Sequence, residues 1–151
     1  MKDGLALRNT LLGSWTLISW TYVILETGEK RDALGPNPTG SLVYTPERVT
    51  VFVLKTDRKK PMSLIPTAEE KIALYDTLFA YAGTYTVHPD RIIHHLDMSW
   101  NEFSTGSEQV RFYKLQGNRL TLTSPPAKKP FDGKEAVHEV LWERFGLPGH
   151  D

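Results

Sequence analysis

Two adjacent histidines, His94 and His95, sit in RIIHHLDMSW (91–100), a stretch of strand-forming residues. Three arrangements fit such a pair: a metal site, an acid–base catalytic site, or an ordinary strand that contains histidines. Imidazole titrates near neutrality and is a common metal ligand, so the first two need testing against geometry. Consecutive side chains of a strand point to opposite faces, so His94 and His95 can grip one ion together only at a bulge. The other histidines are His88 before a turn proline, His138 near the C-terminal end and His150 in the tail. No H-E-x-x-H or comparable ligand spacing occurs. The expectation is no metal.

A symmetric hairpin between RIIHHLDMS and SEQVRFYKL (107–115) sets His95 opposite Arg111, Asp97 opposite Gln109 and Ile93 opposite Tyr113. Its other face joins His94 to Phe112, Leu96 to Val110 and Met98 to Glu108. A slip of one residue exchanges these partners. In the simplest case the second, mostly apolar face lines the core, and His95, Asp97 and Arg111 make surface contacts of little worth. His94 and Glu108 then point inward. Unpartnered buried carboxyl or imidazole groups are costly, so these two are expected to interact or to serve a ligand. Glu108 is the candidate general acid or base, with a raised pKa, and His94 its proton partner. If the polar face lines the interior instead, His95 and Arg111 become ligand contacts.

Other residues complete the candidate site. Tyr81, Tyr85 and Trp100 can supply apolar walls and polar donors. His138 shares its face with Val140, Trp142 and Arg144, which makes it a third inward polar group. It is there either as a ligand contact or as a core histidine bonded to a neighbour or a buried water. Nucleophilic catalysis finds little support: there is no cysteine, no G-x-S-x-G elbow and no phosphate-binding glycine loop. The remaining enzyme class is cofactor-free acid–base chemistry on a bound apolar molecule, such as isomerisation, cyclisation or hydration.

These groups must be positioned by a chain of 151 residues, enough for one domain with a real core. Apolar and charged fractions of 40% and 24% are those of a soluble globule. Lys plus Arg and Asp plus Glu both number 18, so there is no electrostatic footprint for nucleic acid or an anionic membrane. The lack of cysteine excludes disulfides and thiolate metal sites. No stretch approaches the roughly 20 apolar residues of a membrane span, and MKDGLALRNTLLGSW carries no apolar run with a cleavage site. A cytoplasmic protein, monomeric or homodimeric, is expected; a secreted chain without disulfides is the alternative.

Eight strand-like segments follow one another: 15–25, 41–45, 48–54, 84–88, 91–99, 107–115, 118–124 and 136–145. Pro89-Asp90 and Gly117-Asn118 look like hairpin turns. One helix is expected over about 67–82, between the third and fourth strands. Thr67 and Glu70 form a capping box, Ile72, Tyr75, Phe79 and Ala82 form a stripe for packing on the sheet, and Gly83 supplies the stop. Eight antiparallel strands with one helix predict an all-β, closed barrel able to hold one small ligand, with a β-sandwich as the alternative.

Gly13 and Trp15 (G-x-W, in LLGSW) with Arg144 (in LWERF) resemble the closed end of a lipocalin-type barrel, where a guanidinium covers the indole face. GSLVYTPE, FAYAGTYTV, HHLDMSW, GSEQVRFYKLQGNRLTLTSPP and LWER follow in the order found in the lipocalin-like domain family, over about residues 9–146. The chain departs from that pattern at Glu47-Arg48 after YTP, and at Ser104 and Thr105 before Gly106. The resemblance implies an eight-stranded antiparallel lipocalin-like β-barrel around an apolar cavity that binds a small, largely apolar molecule. It implies, as the alternative, an isomerase or cyclase of secondary metabolism.

Overall fold

The computed structural model describes residues 4–128 and 133–146; His150 and the rest of the C-terminal tail lie outside the described residues. A short helix α1 (Gly4–Asn9) leads into β1 (Gly13–Ile24), β2 (Lys30–Asp32), β3 (Thr39–Tyr44) and β4 (Arg48–Leu54). Helix α2 (Ala68–Asp76) follows, then β5 (Leu78–Val87) and β6 (Arg91–Ser99). After a 3-10 turn at Glu102–Ser104 come β7 (Glu108–Gln116), β8 (Arg119–Thr123), β9 (Ala127–Lys128) and β10 (Glu135–Arg144).

Each strand is antiparallel to its neighbours, and β1 pairs with β10 as well as with β3, so the sheet closes on itself. The closed ring holds eight strands, β1, β3 to β8 and β10; β2 and β9 are short additions beside β1 and β10. Closure leaves no exposed edge along the ring. The barrel is as expected, and the sandwich alternative falls. Both anticipated hairpin turns form. Gly117, at φ 60°, takes the first central position of a two-residue turn that joins Gln116 to Arg119.

The helix differs from expectation in place and length. Lys30–Asp32 adds a strand, so α2 lies after β4, and it ends at Asp76. The Thr67–Glu70 capping box is present in full. Residues 78–82 instead continue β5, whose β-branched and aromatic neighbours on β4 and β6 give them a ladder to join. The stripe expected to pack on the barrel therefore splits. Ile72 and Tyr75 are 63% and 46% exposed on α2, while Phe79 and Ala82 belong to the sheet. Gly83 stops no helix. It sits where β6 bulges at Asp97, and a Cβ there would lie 1.8 Å from the His95 carbonyl oxygen.

A second bulge, between Leu17 and Ser19 on β1, resets the inward face. Trp15 and Leu17 point in before it, and Trp20, opposite Val140, points in after it. At the closed end, α1 and the start of β1 are tied down from inside. The Arg144 guanidinium lies 4.2 Å over the Trp15 ring and donates to the carbonyls of Leu12 (2.8 Å) and Thr10 (2.9 Å). The Trp15 indole donates to Leu11. Gly13, at φ 116°, lets the backbone turn beneath Arg144.

Candidate functional site

The β6–β7 hairpin pairs three residues away from the symmetric register, with His95 opposite Glu108 rather than Arg111. Leu96 exchanges backbone hydrogen bonds with Ser107 and Gly106, so the ladder to β7 ends there. Beyond the Asp97 bulge, Met98 and Ser99 pair only with β5. An odd shift swaps the faces of β7. Glu108 is therefore outside, exposed and bonded to His95 (3.1 Å); it is not the inward acid or base the sequence suggested. Arg111 moves the other way, into the barrel. Asp97 pairs outside with Arg48 through two 2.8 Å bonds, and the bulge turns Met98 out as well.

The histidine pair divides as strand geometry requires. His95 is on the outer face, between Thr86 (2.8 Å) and Glu108. His94 is fully buried, with a tyrosine hydroxyl on each ring nitrogen: Tyr44 at Nε2 (2.7 Å) and Tyr81 at Nδ1 (2.5 Å). Burial, with the positive Arg111 nearby, lowers the His94 pKa to about 3, so the ring is neutral at physiological pH. Burial pushes Tyr81 up to about 12 and holds Tyr44 well above the ordinary phenol value.

A neutral ring donates at one nitrogen and accepts at the other. Neither the Tyr44 nor the Tyr81 hydroxyl has a second partner among the described residues, so one of them donates to the ring, the other accepts from it, and one phenol proton is left without a protein acceptor. Tyr81 lines the barrel's interior space.

That space is a chamber of about 250 Å³. Trp20, Phe79 and Trp142 supply aromatic walls, and Val51, Val53, Leu122 and Val140 aliphatic ones. The polar members are Tyr81, Arg111, Ser124 and His138. His138 accepts at Nδ1 from the Trp20 indole (2.9 Å), and its backbone N–H donates to the Ser124 hydroxyl. A smaller space of about 100 Å³ shares Phe79, Tyr81 and Arg111 with the chamber and is closed by Trp100, Leu96 and Gln109. A groove of about 580 Å³ outside the barrel, beside α2, is lined with Lys55, Arg58, Lys59, Lys60, Glu69 and Glu70. Its solvated charges suit it poorly to an apolar ligand.

Of the residues expected at the site, Tyr81, Arg111, His138 and Trp142 meet in the chamber, and Trp100 borders the smaller space. Tyr85 does not. It belongs to the closed end, where its hydroxyl donates to Thr45 and the Arg8 guanidinium lies 4.1 Å over its ring. His94 stands behind Tyr81 rather than in the wall. Among the described residues no group of three histidine, aspartate or glutamate side chains comes together to hold a metal.

A family model described as a lipocalin-like domain matches residues 12–145. The chain belongs to the lipocalin-like domain family. No curated protein and no solved structure shows significant similarity to it. Membership agrees with the Trp15–Arg144 closure and with the position of the chamber among the strands. No described helix is long and apolar enough to cross a membrane.

Sequence reasoning missed Trp20, Phe79, Ser124 and Tyr44 as parts of the site. Alternation from Trp15 points Trp20 outward unless the bulge is known, and Phe79 falls at helical spacing from Ile72 and Tyr75. Tyr44 carried the one available signal: in GSLVYT it sits two residues from Leu42 on the same face.

Proposed function

We propose that this lipocalin-like protein binds a small, largely apolar molecule inside the barrel. The observation that carries the reading is the half-open chamber of about 250 Å³, walled by three aromatic and four aliphatic side chains and left unfilled by the core. A barrel serving only as a scaffold would gain by filling that volume. The proposal includes a cytoplasmic location, as a monomer or homodimer. The charge balance supports a role without nucleic-acid partners.

The Tyr81–His94–Tyr44 chain favours a second reading, a cofactor-free isomerase or cyclase with Tyr81 as the proton donor. Magnitudes rank it below binding. A general acid or base works best with a pKa near the operating pH, whereas His94 lies at about 3 and Tyr81 at about 12.

The test is fluorescence titration with the neutral apolar dye N-phenyl-1-naphthylamine. Wild type should enhance the dye's emission, and filling the chamber with Val140→Trp or Val53→Phe should remove the effect while circular dichroism stays unchanged. No enhancement with wild type, or enhancement that survives in both folded variants, refutes the chamber as a binding site.

A further inference from the structure

We infer that the molecule bound in this chamber is an apolar acid whose oxyanion is held by Arg111. The inference rests on the binding reading above and adds the ligand's charge. Arg111 projects from β7 into the barrel and borders both the chamber and the smaller space beside it. Its described hydrogen bonds go to the neighbouring Val110 carbonyl (2.8 Å) and to the Gln109 side-chain oxygen (3.3 Å), both neutral. Among the described residues no aspartate or glutamate lines either space. The guanidinium thus faces an apolar interior without a carboxylate beside it, an arrangement a purely structural core disfavours.

The surrounding donors point the same way. The indole Nε1 groups of Trp142, in the chamber wall, and Trp100, in the wall of the smaller space, are buried without an acceptor among the described residues. The Tyr44–His94–Tyr81 chain holds one phenol proton more than it has protein acceptors, and its Tyr81 end lines the chamber. Tyr81, Trp100, Arg111 and Trp142 are spread over β5, the loop after β6, β7 and β10; Tyr81 and Arg111 line both spaces, Trp142 the chamber and Trp100 the smaller one. A neutral carbonyl or ether could accept from the phenol, but it would leave the guanidinium uncompensated. An amine would add like charge. A carboxylate or enolate supplies both acceptor lone pairs and the countercharge, and a planar guanidinium suits it.

The experiment is displacement of N-phenyl-1-naphthylamine at neutral pH by octanoate and by octanol, which share a chain length and differ in the head group. Wild type should release the dye to octanoate at a concentration at least about tenfold below that needed for octanol. Arg111→Met should bring the two within about threefold, mainly by weakening octanoate, and Arg111→Lys should keep most of the preference because it keeps the charge. Thermal melts check folding, and Arg111→Met should melt no lower than wild type, since the arginine it removes has no carboxylate partner. Equal displacement by acid and alcohol overturns the inference and leaves the binding reading standing. So does a preference that survives Arg111→Met, or failure of octanoate to displace a dye that binds. Failure of the dye to bind overturns both.

Discussion

Replacing His94 by Gln should flatten the acid side of the stability profile. In the folded chain His94 titrates at about 3, against the ordinary 6.5, because burial and the nearby Arg111 disfavour the imidazolium. Between these values the unfolded chain holds a proton that the folded chain does not. Folding stability therefore falls as pH drops through 6.5, by up to about 1.4 kcal/mol per pH unit, until the folded state protonates near 3. From pH 6 to pH 4 this one group removes about 2 to 2.5 kcal/mol. Glutamine retains an amide able to bond Tyr44 and Tyr81 but does not titrate. The assay is urea unfolding of both proteins at the two pH values, read as the difference of differences. Wild type should lose about 2 to 2.5 kcal/mol more than His94→Gln, whatever the variant's absolute stability. The lowered carboxyls of Asp97, paired with Arg48, and Glu70, in the α2 capping box, also lose stability in acid, but equally in both proteins. Equal acid losses would refute a neutral, buried His94, as would a His94 imidazole signal that titrates near 6.5 by NMR.

Two further substitutions test the frame around the site. Gly83→Ala places a methyl 1.8 Å from a backbone carbonyl that cannot rotate away, so β5 and β6 must part beside Tyr81. Thermal unfolding should show a loss of more than about 3 kcal/mol, or no folded protein at all. Arg144→Met removes the contact with Trp15 and two hydrogen bonds to the carbonyls of Leu12 and Thr10. Denaturant titration should register roughly 2 to 4 kcal/mol of destabilisation.

The barrel and its closure were legible because they rest on local signals. Alternation marks the strands, the two hairpin turns carry suitable residues, and Trp15 and Arg144 mark the ends that meet. The interior was less legible because its contents depend on parity. One extra residue in a strand, or an odd shift in a hairpin, exchanges inside for outside with almost no local trace. The bulge beside Ile18 brings Trp20 in, and the bulge at Asp97 turns Met98 out. The three-residue shift between β6 and β7 exchanges Glu108 for Arg111. The last change matters most. It turns an interior expected to hold an acid into one that holds a cation. Gly83 is the residue that signals the Asp97 bulge, since glycine amid FAYAGTYTV marks a close approach as readily as a helix stop.

The two inward polar residues of the β6–β7 pair behave in opposite ways, and the contrast separates folding from function. His94 is satisfied at both nitrogens, and its neutral ring links Tyr44 to Tyr81 in the chamber wall. Both of its nitrogens have partners within the core, so core packing alone explains it. Arg111 admits no such account. A core selected for stability would carry an aliphatic side chain there, and a phenylalanine at Trp142 would avoid burying an unpaired N–H. Groups that a fold would discard on stability grounds are the ones to assign to a ligand. Here they are all hydrogen-bond donors, one of them charged, and their residues line two spaces that have Phe79, Tyr81 and Arg111 in common.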